Sequence, residues 1–312
     1  MKTSAAELTH VLFPRVGPDL ETLHTAQSLQ RHQEWVSQDS DEIPGLLRKV
    51  GFSLLGEVIN PISTGGQAYV AIRDNQAVVS FRGSGGDNLR QTLLNSLADA
   101  RIRRVKPKEI VPIKGRSAVK VHVGFYENYL EFRDEIRRNV RSLDQHEVYV
   151  TGFSLGSALA TLCALDLAVN ENLNVTLHGM GTPRVGNRAF GELMEQKVPR
   201  ILRTALTGDP VTRVPLQIDS ARSFHHAGHL LELQHDGSPV PLRDITGRLK
   251  DGYELGDHNR NKYASMIASL IAQLGQDPNL LEREWGERPL EKAAERERGP
   301  LFGSPEDDED DE

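Results

Sequence analysis

The chain has 312 residues, a formal net charge of −7 at pH 7, 38% hydrophobic residues and 26% charged residues. This composition is typical of a globular protein, which excludes a fibrous or largely disordered chain. The sequence contains no run of about 18 apolar residues, the length that a membrane-spanning helix needs. The segment from Glu282 to the end carries 13 acidic and 5 basic residues, so it accounts for −8 and the rest of the chain for about +1. A body with so little positive charge disfavours nucleic-acid binding.

The first half of the chain contains helical and strand patterns. In chain order they predict a helix over 19–36, a helix over 42–55, a β-hairpin of strands 67–73 and 76–82, a strand over 119–123 and a helix over 125–143. The helices are predicted from apolar residues at helical spacing, and the hairpin from two β-branched and aromatic runs joined by Asp74-Asn75.

The second half alternates strands with helices. It predicts a strand over 147–151, a helix to about Val169, a strand over 175–180, a helix over 187–197, a strand over 200–206 and a helix over 261–274. Such alternation indicates an α/β fold with a largely parallel central sheet.

The ends of the chain differ from its body. We expect a lead-in over 1–17, one domain over 18–281 and a charged tail over 282–312, of which 306–312 is disordered. The first 20 residues contain Pro14, Pro18 and charges instead of the apolar stretch of a secretory signal peptide. The single cysteine, Cys163, fits a reducing compartment. We therefore expect a cytoplasmic protein, or one that is secreted without an N-terminal signal peptide.

Gly152-Phe153-Ser154-Leu155-Gly156 forms a G-x-S-x-G pattern between a β-branched strand and a helix rich in small residues. In this context a serine can sit on a strained turn that points its hydroxyl out of the sheet. The glycines remove side chains that would collide as strand and helix pack closely, and the helix N-terminus offers N–H groups to a developing oxyanion. The pattern predicts a nucleophilic Ser154, and the alternative is a tight turn with an incidental serine.

Five further blocks of sequence occur in an order that is typical of one known family. They are Val78–Ser84, Val121–Phe125, Gly179–Asn187, Arg203–Pro215 and His226–Gly228. Together with the serine motif, they resemble the class 3 lipase group of α/β-hydrolases, which includes the fungal triacylglycerol lipases, from about Ala68 to Tyr263. The resemblance implies an α/β-hydrolase fold, with a mostly parallel central sheet flanked by helices and a short lid. It also implies ester hydrolysis that needs no metal or organic cofactor.

A serine nucleophile needs a base and a carboxylate that orients the base. In α/β-hydrolases these follow the serine in the order carboxylate, then histidine. Asp209 follows a predicted strand in a "D-P-V" turn that resembles the family's, and Asp219 is the weaker rival. We choose His258, in a "D-H" pair before the last predicted helix, as the base, because the family places its base in a similar setting; His226 is the competitor.

The resemblance also implies an oxyanion hole and a lid. Ser84 is expected to donate its hydroxyl and backbone N–H to the oxyanion, and Leu155 its backbone N–H. The segment 88–100 is amphipathic, and the resemblance makes it a mobile lid; the alternative is an ordinary surface helix. The apolar face of this segment consists of Leu89, Leu93, Leu94 and Leu97.

Two clusters admit other readings. A basic cluster follows the predicted lid and is either a solvated strand edge or a patch that attracts anionic phospholipid; it consists of Arg101, Arg103, Arg104, Lys106 and Lys108. His225, His226 and His229 have a spacing that a metal site could use. No carboxylate or cysteine joins these histidines closely, so we expect no metal.

Two positions depart from the family pattern. Phe153 stands where histidine is usual before the nucleophile, and Ser157 stands where glycine is common. Neither removes a catalytic atom, and both are interpreted as changes to the acyl pocket. The sequence thus predicts a serine carboxylic-ester hydrolase, and the resemblance implies that its substrates are acylglycerols. The alternatives are a phospholipase A1, a short-chain esterase or a catalytically silent lipase-like interaction protein. The expected partners are a lipid or small ester and, transiently, a lipid interface.

Overall fold

The computed structural model describes residues 20–63, 65–83, 103–111, 118–141, 143, 147–215, 223–234, 255–273 and 277. The predicted lead-in and charged tail lie outside these ranges. Within them, the helices are α1 Leu20–Trp35, α2 Ile43–Lys49, α3 Val123–Val140, α4 Leu155–Asn170, α5 Arg188–Lys197 and α6 Arg260–Gln273. The strands are β1 Ser53–Ile59, β2 Ala68–Arg73, β3 Gln76–Phe81, β4 Arg104–Val105, β5 Val121–His122, β6 Glu147–Phe153, β7 Asn174–Met180, β8 Arg200–Leu206 and β9 His229–Leu233. Short 3₁₀ turns cover Val211–Arg213 and Leu255–Asp257.

The central sheet has seven strands in the order β1-β2-β3-β6-β7-β8-β9. The first three strands are antiparallel neighbours, and every pair from β3 to β9 is parallel. The prediction of an α/β fold with a mostly parallel central sheet is confirmed. β4 and β5 form a separate two-stranded antiparallel sheet beside the start of α3.

Helices cover both faces of the central sheet, because alternate residues of each strand face opposite sides. One face packs its aliphatic residues, such as Val79 and Val150, against α3, α4 and α5. The other face packs against α1, α2 and α6; Val78 and Tyr69 contribute near α2, and Phe153 contributes near α6. The sheet thus forms the middle of three layers.

The helix α4 packs closely on the sheet directly after the serine motif. Its residues from Gly156 to Leu167 are all buried, and many of them are small. Small side chains let the helix approach the strands, which fixes the position of its N-terminus beside β6. Within the described ranges, no helix has both the length and the apolar character that crossing a bilayer requires.

The prediction of one helix over 42–55 was wrong. The helix α2 ends at Lys49, and Gly51 follows with a φ of 81°, a left-handed conformation that glycine adopts without strain. Leu54 then pairs with Ala71 of β2, so the apolar residues of this segment serve a strand. A short apolar run cannot be assigned to helix or strand by spacing alone. The last strand, β9, was not predicted either.

Candidate active site

Ser154 lies at the carboxyl end of β6, on the turn that leads into α4. Its backbone has φ 58° and ψ −124°, a left-handed conformation that residues with a side chain rarely adopt. The Ser154 amide donates a hydrogen bond to the Met180 carbonyl of β7 at 3.0 Å, which ties the turn to the neighbouring strand. This is the strained turn that the serine motif predicts.

The two glycines of the motif permit this turn. A Cβ atom on Gly152 would overlap the backbone of Gly156, and a Cβ atom on Gly156 would overlap the Phe81 carbonyl of β3. Because backbone cannot move aside cheaply, any side chain at either position would separate the strand from the helix. The structure therefore agrees with the reason given for these glycines.

The structure brings Ser154, His258 and Asp209 together although they come from three separate segments. His258 Nε2 lies 2.6 Å from Ser154 Oγ, and His258 Nδ1 lies 2.8 Å from Asp209 Oδ2. Since a carboxylate only accepts, Nδ1 carries the proton in the neutral ring and Nε2 accepts from the serine hydroxyl. All three side chains are fully buried.

Asp209 is held by donors on both of its oxygens. Oδ1 accepts the Val211 amide at 2.8 Å, within the turn that follows β8. Oδ2 accepts the Tyr263 hydroxyl at 2.5 Å as well as His258 Nδ1. Burial, and then the neighbouring Asp209, raise the pKa of Tyr263 well above its usual value, so this phenol stays protonated and remains a donor. The sequence marked Tyr263 only as an aromatic residue after the "D-H" pair.

The loop that carries His258 packs directly against the turn that carries Asp209. A Cβ atom on Gly208 would overlap the Asp257 carboxylate, so a glycine here allows the close approach of the two segments. Asp257 is itself paired with Lys262 at 2.9 Å. Sequence reasoning missed Gly208 and Asp257, because glycine and aspartate next to a turn signal nothing more than the turn.

A further glycine borders the three residues. Gly181 follows β7 with a φ of 57°, and a Cβ atom there would lie 2.9 Å from His258 Cε1 and 3.2 Å from Asp209 Oδ2. The sequence flagged this glycine only as part of a family block. Its position shows why a residue without a side chain stands at this point of the block.

The two positions that depart from the family pattern both contact other protein side chains. The Phe153 ring stacks on the imidazole of His258, with centroids 4.7 Å apart and planes inclined by 21°. Ser157 is buried in α4, where its Oγ lies 2.6 Å from Thr182 Oγ1. No contact within the described ranges tests the interpretation of these two residues as changes to an acyl pocket.

The predicted oxyanion donors are partly described. Leu155 is the first residue of α4, and its N–H makes no hydrogen bond within the part of the chain that the structure describes. Gly83 lies against the Phe153 carbonyl, which a Cβ atom would approach to 2.6 Å. Ser84, and the predicted lid residues Leu89, Leu93, Leu94 and Leu97, lie outside the described residues.

The rival histidine and the metal alternative gain no support from this geometry. His226 Nε2 donates to the Thr212 carbonyl at 2.9 Å, and burial and Arg203 lower its pKa well below the usual value. His229 is exposed in β9. Across the described ranges, no cluster of three or more histidine, cysteine or acidic side chains could hold a metal ion. The rival carboxylate, Asp219, lies outside these ranges.

Comparison with known proteins shows which family this chain is similar to. Residues 78–218 match the model of the class 3 lipases. The lipase of Rhizomucor miehei is 34% identical over 195 residues, which cover 59% of this chain and 49% of that protein. The chloroplastic phospholipase A(1) DAD1 of Arabidopsis thaliana is 33% identical over 158 residues, which cover 44% of this chain and 33% of that protein. The chain thus spans half or less of these curated relatives.

A solved structure supports the same assignment. It is a triacylglycerol lipase whose catalytic centre is described as a serine protease triad. The match covers 77% of this chain and 92% of the lipase chain. The two share 25% sequence identity and a TM-score of 0.59. The α/β-hydrolase fold predicted from the resemblance is confirmed. Over residues 78–218, the chain is thus similar to the class 3 lipases.

Proposed function

We propose that the protein is a serine carboxylic-ester hydrolase that acts on acylglycerol lipids. The observation that carries the proposal is the continuous hydrogen-bonded path from Ser154 through His258 to Asp209, which starts on a strained strand–helix turn. A serine beside an oriented imidazole is the arrangement that acyl transfer needs. The lipase relatives and the serine triad of the matching lipase structure support acylglycerols as the substrate class.

The proposed mechanism assigns one role to each group. Ser154 Oγ attacks the ester carbonyl while His258 Nε2 takes its proton, and Asp209 stabilises the imidazolium that forms. His258 then returns the proton to the leaving alcohol, which leaves an acyl-enzyme on Ser154. Water, deprotonated by His258, attacks the acyl carbonyl, and His258 returns this proton to Ser154 Oγ as the acyl–Oγ bond breaks and the acid leaves. The Leu155 N–H, which has no partner among the described residues, and, as a prediction, Ser84 stabilise the oxyanion, each by about 3 kcal/mol.

Hydrolysis of p-nitrophenyl esters from butyrate to palmitate tests this proposal. Ser154→Ala and His258→Ala should each lower kcat by at least about 10⁴-fold. His226→Ala is the control, because this histidine is bonded to a backbone carbonyl and not to Ser154. Highest activity on long chains would support a lipase, and activity confined to short chains would favour an esterase. Retained activity in His258→Ala with loss in His226→Ala would refute the assignment of the base.

A phospholipase A1 activity is the second candidate, because a plant phospholipase A(1) matches at 33% identity. Both activities use the same three residues and differ in the head group that the site admits. A phosphatidylcholine with different acyl chains at its two positions separates them. Release of only the first-position chain, at a rate above that for triacylglycerol, would favour the phospholipase.

A catalytically silent interaction protein is the remaining alternative from the sequence. The alignment of Ser154 with His258 supports an activated serine, since a free serine hydroxyl is a weak nucleophile. Labelling of the folded protein by a fluorophosphonate, lost in Ser154→Ala, would support the enzyme. Absence of labelling in detergent as well as in buffer would favour the silent protein.

We further propose that a cationic strip that begins near the site contacts a lipid interface. The strip consists of Arg103, Lys106 and Lys108, which are exposed and make no ion pair within the described ranges. A short connection, residues 141–146, joins the end of α3 to the start of β6, so these two elements run in opposite directions. The start of α3, and β4 beside it, therefore share an end of the sheet with Ser154. From β4 the chain runs along α4 to Ile110, whose carbonyl accepts from Asn170, the last residue of that helix. The exposed cations of this segment favour an anionic lipid surface.

A further inference from the structure

Phe153 occupies an unusual place next to the base. It is the last residue of β6, its side chain is 4% exposed, and its ring lies over the face of the His258 imidazole at 4.7 Å between centroids. Its other contact with an aromatic ring is edge-on to Tyr263, at 5.5 Å and 73°. The same phenylalanine thus touches both groups that hydrogen-bond to Asp209 Oδ2.

This placement restricts the imidazole from one face. The two in-plane hydrogen bonds, to Ser154 and to Asp209, fix the ring at its edges. The nearly parallel Phe153 ring, inclined by 21°, fixes the plane in which those edges lie. The backbone of Gly181 lies so close to His258 Cε1 that a Cβ atom on this glycine would come within 2.9 Å of it. The imidazole is therefore confined at Cε1 as well.

We propose that Phe153 is a positioning residue that holds the His258 plane and stabilises its protonated form. The proposal rests on the proposed function, in which His258 becomes an imidazolium twice in each cycle. The face of an aromatic ring carries negative partial charge and attracts a cation within about 6 Å of its centroid. The ring therefore favours the imidazolium over the neutral imidazole, while an aliphatic side chain of similar size would only exclude water.

Among the residues that the structure describes, the other charged and titratable groups around His258 belong to four packed segments, and none of them lies on Phe153 itself. Asp209 lies after β8, and Tyr263 lies on α6 behind it. On the loop of His258 itself, Asp257 is paired with Lys262. The more distant groups are Arg260, bonded to the Gln33 carbonyl of α1, and Glu232 of β9, paired with Arg213. A shift in the pKa of His258 on substitution of Phe153 is therefore assigned to the ring.

The test replaces Phe153 by leucine, which keeps an apolar side chain over the imidazole and removes the aromatic face. The pKa of His258 is measured by NMR from its ¹³Cε1 signal, which is assigned by its loss in His258→Gln. The acid limb of the kcat/KM profile is measured on p-nitrophenyl butyrate in parallel. We expect Phe153→Leu to lower both pKa values by about half a unit to one unit and to lower kcat with little change in KM.

Phe132→Leu is the matched control. Phe132 is equally buried in α3 and lies edge-on to Phe81, in the core on the opposite face of the sheet from His258. Both variants create a similar cavity and should lose similar stability. Only Phe153→Leu should move the pKa of His258.

Each outcome decides the proposal. An unchanged NMR pKa in Phe153→Leu, with a stability loss like that of Phe132→Leu, would overturn it and leave Phe153 as a core residue. If Phe153→Leu does not fold, Phe153→Met, with a longer and more flexible apolar side chain, carries the same expectation. If the wild-type protein hydrolyses no ester, the proposed function fails, but the NMR titration still decides whether the ring stabilises the imidazolium.

Discussion

The Tyr263 hydroxyl joins the backbone of β8 to the carboxylate of Asp209. Its oxygen accepts the Leu206 amide at 3.2 Å, and it donates its single proton to Asp209 Oδ2 at 2.5 Å. Because the amide occupies a lone pair of the hydroxyl, the O–H bond is directed at the carboxylate. Asp209 is thereby fixed from α6 as well as from its own turn.

Replacement of Tyr263 by phenylalanine should separate positioning from chemistry. The carboxylate loses one donor and keeps more of its negative charge, so the acid limb of the kcat/KM profile should move to higher pH. A looser carboxylate should lower kcat by up to about tenfold with KM unchanged. The free energy of unfolding should fall by about 1–2 kcal/mol, since the Leu206 amide also loses its partner.

Tyr129→Phe provides the control for that change. Tyr129 is fully buried in α3, and its hydroxyl donates to the Asp166 carboxylate of α4 at 2.8 Å. Loss of this bond should destabilise the fold to a similar degree without any shift in the pH profile. Equal pH profiles for both variants would show that Tyr263 serves the fold alone.

Asp209→Asn should leave the backbone in place and remove most of the activity. An amide can offer its N–H to His258 Nδ1, which favours the tautomer with the proton on Nε2 and so blocks acceptance from Ser154. We expect kcat to fall by about 10⁴-fold. The measurement is a rate on p-nitrophenyl butyrate, with the fold checked by circular dichroism. A loss of less than tenfold would show that Asp209 does not orient the base.

The sequence was sufficient to predict most of the parallel sheet and the three residues that the site brings together. The strands β6, β7 and β8 are buried runs with clear turn signals, and the motif glycines have a steric reason that the structure bears out. Ser154, Asp209 and His258 stand in an order that the family's motifs define. The order of the motifs along the chain can therefore locate these residues even when the distances between their side chains are unknown.

The contacts between segments could not be read from the sequence. Tyr263 and Phe153 act on His258 and Asp209 through ring planes and hydroxyl directions, which depend on how α6 packs on β6 and β8. The first strand was also missed, because Leu54 pairs with a residue of β2 and local spacing carries no trace of that partner. Tertiary packing, rather than local preference, decided both features.

Buried neutral histidines should make the fold sensitive to acid. Burial lowers the pKa of His178 from its ordinary value of 6.5 to about 4. Between these two values the unfolded chain binds more protons than the folded chain, so the free energy of unfolding falls as the pH falls through this window. His178 alone should account for about 2 kcal/mol between pH 7.5 and pH 5.

Urea unfolding of His178→Gln at both pH values measures that contribution. Glutamine does not titrate, so the difference in unfolding free energy between pH 7.5 and pH 5 should shrink by about 2 kcal/mol. His229→Gln, a change at an exposed position of β9, is the control and should leave the difference unchanged. An equal pH dependence in wild type and His178→Gln would contradict the prediction.

Binding to anionic vesicles should depend on the positive charge of the strip. Lys106→Glu with Lys108→Glu reverses two exposed cations of the strip, while Lys197→Glu with Arg200→Glu reverses two exposed cations where β8 begins. Co-sedimentation with phosphatidylglycerol vesicles at low salt should fall strongly for the first pair only. Equal losses would show a response to net charge rather than to a docking surface.

The complete burial of Ser154 implies that the site must open before it can act. Neither the serine nor His258 has any exposed surface, so an ester reaches Oγ only if part of the chain moves. If opening exposes apolar surface, a lipid interface favours the open form and water disfavours it. The rate of hydrolysis of tributyrin should therefore rise steeply once the ester exceeds its solubility limit. Fluorophosphonate labelling of Ser154 should be faster with detergent micelles than in buffer. Labelling at the same rate in both, together with a smooth rise of activity through the solubility limit, would show that the serine is reached through local fluctuation without interfacial opening.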